Sequence, residues 1–109
     1  MHWNILLFET TRGKKPVGEF INSLSPATYA KTLHTLELLK QYGSFLGLPH
    51  CKKVTNSLYE LRIRGKEEIR IFYFIRKRDI YLLHVFKKKT QKMPKNEIRI
   101  AEKRAKLLS

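Results

Sequence analysis

Acidic residues are scarce in this chain: 9 Asp and Glu stand against 23 Lys and Arg, for a net charge of +14 over 109 residues. Self-repulsion of that size weakens a compact state unless a polyanion relieves it. The composition therefore favours nucleic acid, an anionic membrane or an acidic protein as partner. Cysteine is nearly absent. A lone Cys51 excludes an internal disulfide and points to a reducing, cytoplasmic compartment; in LPHCKKV it has no supporting motif and reads as an ordinary small residue. Long apolar runs are missing too. WNILLF is too short for a signal peptide and ends at Glu9, and no stretch approaches a membrane span, so no membrane association is expected. The four histidines (His2, His34, His50 and His84) are scattered, and HExxH and paired cysteines are lacking, so neither a metal nor another cofactor is expected. There is no phosphate-binding glycine loop and no GxSxG, and the acids are too isolated for a two-metal nuclease.

What is present is a foldable pattern. A hydrophobic content of 42% suits one globular domain, and the length suits a single one over residues 1–109. Trp3 to Phe8 reads as a short strand, and Thr10 to Lys15 as a polar loop. Pro16 opens a helix with Val17, Phe20, Ile21 and Leu24 at helical spacing. Ser25-Pro26 opens a second, with Tyr29, Leu33, Leu36 and Leu39 as its apolar stripe and Gly43 as its stop. The two helices are expected to form a hairpin on a sheet. Ser44 to Val54 reads as a loop. The period then changes to two, giving three strands, Leu58 to Arg64, Ile69 to Ile75 and Ile80 to Phe86, joined by short turns as an antiparallel meander. After KKKTQKMPKNE, Pro94 precedes a last helix with Ile98, Ala101, Ala105 and Leu108 at helical spacing. The fold class expected is α+β: an antiparallel sheet, an N-terminal helical hairpin packed on one face and a C-terminal helix.

Alternation sorts the meander into two faces. Tyr59, Leu61, Ile63, Ile69, Ile71, Tyr73, Tyr81, Leu83 and Val85 make a core face. Glu60, Arg62, Arg64, Arg70, Phe72, His84 and Phe86 lie opposite. Cations mixed with aromatics suit a groove that grips phosphates and stacks bases. Each residue taken alone has a plainer explanation. Strand arginines can be solvated edge guards, Phe72 and Phe86 can pack under the last helix, and a lone histidine is commonly structural. The lysines at the end of the third strand, Lys87, Lys88 and Lys89, can be a solvated turn. The last helix prolongs the basic field with Lys95, Arg99, Lys103, Arg104 and Lys106.

The stretches LYELRIRGKEEIRIFYF and LLHVFKKKTQKMPKNEIRIA resemble the phage-derived Gp49-like, HigB-type branch of the RelE/ParE superfamily. The motifs are Leu58 to Arg62, Ile69 to Ile71, Phe86 to Thr90 and Pro94 to Ala101, with Gly13 to Leu24 also matching. The resemblance implies a RelE-like fold and a toxin of a type II toxin–antitoxin system. Such a toxin is an mRNA interferase that enters the ribosomal A site, cuts mRNA there and inhibits translation. It also implies a cognate helix-turn-helix, HigA-like antitoxin. Arg62 and Arg70 occupy the family's two basic strand positions, and Lys87 and Lys88 the basic positions after the last strand. The C-terminal tyrosine of some members has no counterpart.

The chemistry can be assigned on physical grounds. RNA is cut without metal when its 2′-hydroxyl attacks the adjacent phosphate. Arg62 and Arg70 suit the phosphoryl oxygens because guanidinium offers planar paired donors. Lys88 adds charge or a proton, and Glu60 or His84 is the candidate base. Arg64, Lys87, Lys89 and Lys92 are expected to bind RNA, with Phe72, Phe86 or the core-face Tyr73 stacking on a base. Three alternatives remain open: a non-catalytic basic domain that binds nucleic acid or an acidic partner, a ParE-like gyrase inhibitor, and a decayed toxin retained only for antitoxin binding.

Overall fold

The computed structural model describes residues 2–108. Along them the chain runs β1 (Asn4–Leu7), α1 (Pro16–Asn22), α2 (Pro26–Tyr42), a 3-10 turn (Gly43–Phe45), β2 (Cys51–Lys53), β3 (Tyr59–Ile63), β4 (Ile69–Arg76), β5 (Asp79–Lys87) and α3 (Lys95–Leu108). The strands form one sheet in the order β1-β5-β4-β3-β2. The expected meander is β3–β4–β5, antiparallel throughout, with β2 antiparallel at one edge and β1 parallel to β5 at the other. The architecture is α+β, with α1 and α2 on one face and α3 on the other.

Pro16 and Pro26 each stand in the first turn of a helix, where no backbone donor is lost. Helix α2 ends at Gly43, whose φ of 51° suits glycine alone here for a second reason: a Cβ would lie 2.0 Å from the Trp3 ring. Trp3 is thus clamped between Gly43 and the Arg78 guanidinium, which sits 4.6 Å from its ring centroid.

The expected stripe of α2 holds in part. Leu39 is buried and Tyr29 and Leu36 pack against the core, but Leu33 is 45% exposed, and Thr28, Thr32 and Thr35 are buried beside them. The Thr32 and Thr35 hydroxyls donate to the carbonyls of Thr28 and Lys31, at 2.8 and 2.9 Å. Each hydroxyl is satisfied by its own helix and the methyl is free to pack. Segment 44–54, expected as a loop, holds the 3-10 turn and β2. Cys51 starts that strand, buried in the hairpin-side core, and its thiol lies 2.8 Å from the Leu46 carbonyl oxygen. Burial, with the nearby Cys51 thiol, pushes the Tyr73 phenol well above its usual range, so Tyr73 packs as a neutral ring.

The face assignment also needs a correction. A β-bulge falls between Phe72 and Tyr73: Phe72 pairs with His84 and Tyr73 with Leu82, so Leu83 is skipped. Before that point β5 is shifted by one residue. Ile80 and Leu82, not Tyr81 and Leu83, join Ile71, Tyr73 and Val85 under the hairpin. Leu83 joins Phe8, Leu58, Phe72, Phe86, Ile98 and Ala101 in a second core under α3, with Tyr81 and Phe74 at its margin. The sheet face expected to be open is therefore half covered.

Candidate active site

On the α3 side of the sheet, side chains stand in rows. Arg62, Arg70 and Phe86 form one row, and Glu60, Phe72 and His84 the next. Helix α3 covers the second row and Phe86. The part left uncovered is the β3–β4 end, where Arg62 and Arg70 are direct cross-strand partners. The chain leaving β5 curls past this end, with the Lys88 amide donating to the Glu68 carbonyl at 2.8 Å. The result is a cavity of about 470 Å³, lined by Arg62, Arg64, Arg70, Lys88 and Lys89, by Thr90 and Gln91, and by a single carboxylate, Glu68. Arg62 and Arg70 thus share one cavity with Lys88 and Lys89, but not with Lys87.

Each arginine is held by the acid two residues before it, which alternation puts on the same face. Arg62 Nε lies 3.1 Å from Glu60 Oε1, and Arg70 Nη2 lies 3.0 Å from Glu68 Oε1. The Nη groups of Arg62 take no protein partner among the described residues. Arg70 is only 5% exposed; its Nη1 donates to the Ile69 carbonyl at 3.1 Å and its Nε is buried without a partner. Like charges directly opposite one another destabilise a sheet, and a buried donor left unpaired costs about 1–3 kcal/mol. An anion in the cavity would offset the opposition of the two like charges. Glu68 is desolvated, which raises its pKa, but hydrogen bonds from Arg70 and the Gly65 amide, with the charges of Arg70 and Arg64, outweigh this and hold it below the usual range.

Several expected site residues lie elsewhere. Phe72 is fully buried and offers no face to a base, and buried Tyr73 is on the hairpin side; Phe86, whose ring packs 5.3 Å from that of Phe72 under α3, is largely buried but borders the depression that Lys88, Lys89 and Lys92 also line. A base at Glu60 or His84 is also to be corrected. Glu60 is 2% exposed and bound to Arg62. His84 Nε2 is 2.6 Å from Glu97 Oε1, its Nδ1 is 3.5 Å from Arg104 Nη1, and its ring stacks on Phe86. Neither lines the cavity, and His84 ties the start of α3 to the sheet. Lys87 points to the hairpin side, where it pairs with Glu67. Lys92 lines a neighbouring depression that shares Lys88, Lys89 and Thr90 with the cavity, so it extends the cationic surface.

Glu68 is the member that sequence reasoning missed, read there as part of a charged turn. The signal was present: Glu60-Leu61-Arg62 and Glu68-Ile69-Arg70 repeat one acid-apolar-arginine pattern on neighbouring strands. No group of three or more His, Cys, Asp or Glu able to hold a metal occurs among the described residues. No helix among them is long and apolar enough to cross a membrane.

The chemistry of this lining suits an anion. Planar donors and ammonium groups converge on a partly enclosed space, with one carboxylate at its wall. Set against curated proteins, the chain finds no match. Residues 19–106 match the family model described as phage derived protein Gp49-like (DUF891). The chain belongs to this RelE/HigB-type toxin family, and an antitoxin partner comes with that membership.

Proposed function

We propose that the protein is a ribosome-dependent endoribonuclease that halts translation by cutting mRNA in the A site, without metal, through the RNA's own 2′-hydroxyl. The observation that carries this reading is the cross-strand pair Arg62–Arg70 with Lys88 beside it on one cavity. In the reaction the 2′-oxygen bonds to phosphorus and the bond to the 5′-oxygen breaks. One proton leaves the 2′-hydroxyl and another reaches the leaving 5′-oxygen, giving a 2′,3′-cyclic phosphate and a 5′-hydroxyl.

Arg62, with open Nη groups, and Arg70 take the phosphoryl oxygens, where negative charge builds up. Glu68 is the carboxylate on the cavity wall and accepts the 2′ proton. Bound to Arg70 it is a weak base. A phosphate that draws Arg70 toward itself loosens that pair and makes Glu68 more basic at the moment the proton must move. Lys88 supplies the proton for the leaving oxygen, and Arg64, Lys89 and Lys92 track the flanking backbone. With no strongly basic group in the cavity, much of the acceleration falls to orientation, which a ribosome holding the mRNA provides. A helix-turn-helix antitoxin of the HigA type is the inhibitor this reading expects.

The test is cleavage of mRNA on translating ribosomes, mapped by primer extension. The wild-type protein should cut. Arg70→Ala should cut about 100-fold more slowly or worse, the usual cost of one charge-stabilising donor. Intact mRNA with folded wild-type protein on stalled and elongating ribosomes would sink the proposal.

A further inference from the structure

A second cavity lies around the corner from the first. Strand β2 begins at Cys51, and His50 makes the last bond to β3, its carbonyl accepting from the Arg62 amide at 2.8 Å. Beyond that bond the outer edge of β3 is uncovered at Ile63 and Arg64. Helix α2 forms the opposite wall and Pro49-His50 closes the end, enclosing about 440 Å³. The walls are mostly apolar, with Ala30, Pro49 and Ile63, and two imidazoles, His34 and His50, border the space.

The mouth has a different chemistry. Lys31 reaches across from α2 and its ammonium lies 3.4 Å from the Arg64 carbonyl oxygen. It passes so close to Gly65 that a Cβ there would sit 2.7 Å from Nζ. Arg62 and Arg64 line this cavity and the catalytic one alike. A polyanion bound at Arg62 and Arg70 is therefore already at the entrance of the second space.

A slot with apolar and imidazole walls and a cationic rim matches one chemical unit, a nucleotide. Its base packs against the rings and its phosphate meets the ammonium and guanidinium groups. A second phosphate alone would waste the apolar walls, and an apolar peptide would desolvate the charges of Lys31 and Arg64 without an anion to offset them. We infer that the slot between α2 and the β3 edge is a nucleotide subsite that seats a base neighbouring the cleaved phosphodiester, with His34 and His50 as its base contacts and Lys31 and Arg64 as its phosphate contacts. This rests on the nuclease reading for the identity of the cleaved bond, but the binding can be measured without cleavage.

The probe is a deoxytrinucleotide, which lacks the attacking 2′-hydroxyl and cannot be cut, compared with a sugar–phosphate trimer of equal length that has no bases. Affinities are measured by fluorescence anisotropy for the wild type, for His34→Ala/His50→Ala and for Arg70→Ala, each first shown to be folded by circular dichroism. Wild-type protein should bind the trinucleotide about tenfold more tightly than the abasic trimer, the lower range for one stacked base. The double variant should lose that preference. Arg70→Ala should weaken both probes and keep it. Equal binding of the two probes by wild type, or a preference that survives in the double variant, overturns the subsite. The outcomes separate from those of the nuclease test. Ribosomal cleavage without a base preference leaves the enzyme and removes the subsite. A base preference lost in the double variant, without ribosomal cleavage, keeps the slot and removes the nuclease.

Discussion

Replacing Arg70 by methionine should cost the protein little or no stability while abolishing its activity. The substitution keeps an unbranched apolar stem of similar width and removes the guanidinium with its charge and its donors. Its favourable contacts can be estimated. One hydrogen bond to the Ile69 carbonyl and one to Glu68 are lost, and each contributes about 1 kcal/mol net. The Glu68 pairing is at the low end, because that carboxylate is 36% exposed and water replaces its partner readily. Against this, methionine removes a buried, unpaired Nε, relieving about 1–3 kcal/mol. It also removes the like-charge opposition to Arg62 across the strand pair, up to about 1 kcal/mol. The balance runs from about 1 kcal/mol against the variant to about 2 kcal/mol in its favour, at roughly 4 °C or more in Tm per kcal/mol. Calorimetry in low salt measures it, and the ribosome cleavage assay run on the same preparation measures activity. Sulfate should raise the Tm of the wild type more than that of the variant, because only the wild type keeps the full anion site. A variant that loses 2 kcal/mol or more would show that Arg70 is a structural strut. A variant with full activity would show that it does not touch the phosphate.

Other perturbations test separate parts of the argument. Gly43→Ala forces a Cβ to within 2.0 Å of the Trp3 ring at a φ of 51°; it should cost about 3 kcal/mol in urea denaturation, and an unchanged midpoint would contradict the Trp3 clamp. Glu67 is held below its ordinary pKa of 4.5 chiefly by Lys87, then by Thr28 and Ser25. A depressed carboxylate stabilises above its unfolded pKa, so the advantage of wild type over Glu67→Gln should be full above about pH 5 and vanish as the pH falls through the folded value below 4.5. Parallel stability–pH curves for the two proteins would refute the link. Lys88→Glu places an acid on the cavity lining; ribosome association should weaken most at low salt, with a shallower salt dependence, and salt-independent binding would take the lysine run out of the interface.

How far the sequence disclosed the fold depended on whether a local pattern matched the way a residue is solvated. Prolines 16 and 26 and Gly43 mark helix boundaries by covalent geometry, and the structure places them so. The alternation of β3 and of the first half of β4 is equally direct, since Leu61, Ile63, Ile69 and Ile71 all reach the hairpin core. Two features escaped for physical reasons. Threonine counts as polar in any hydrophobic pattern, yet Thr32 and Thr35 spend their hydroxyls on the preceding turn and pack as if they were valine. The bulge that skips Leu83 inserts one residue and reverses the alternation behind it; in an all-apolar run such as Ile80 to Leu83 neither face looks wrong, so nothing local marks the shift.

The candidate site was legible as charge but not as exposure. Arg62, Arg64 and Arg70 look alike in sequence. In the fold Arg64 is exposed, Arg62 is intermediate and Arg70 is buried. The difference is set by distant chain. Helix α3 and the Lys88–Gln91 segment approach the sheet from the far end of the sequence and decide which polar residues lose water. The same packing explains Phe72 and Phe86: sequence presents them beside cations, and α3 then turns them into the support on which Arg70 rests. The glutamates follow the same rule. Glu60 is sealed and fixes Arg62, while Glu68, two residues before Arg70 in the same pattern, stays at the cavity wall within reach of water. A carboxylate must be reachable to exchange a proton with a substrate, so under the proposed reaction burial makes Glu60 the positioning acid and Glu68 the reacting one although both carry the same signature. Exchanging their exposures would therefore exchange their roles: Glu60→Gln should act through the placement of Arg62, raising KM more than it lowers kcat. Glu68→Gln should lower kcat about 100-fold with little change in KM. Steady-state kinetics on ribosome-bound mRNA reads both, and equal effects on both constants in the two variants would refute the division.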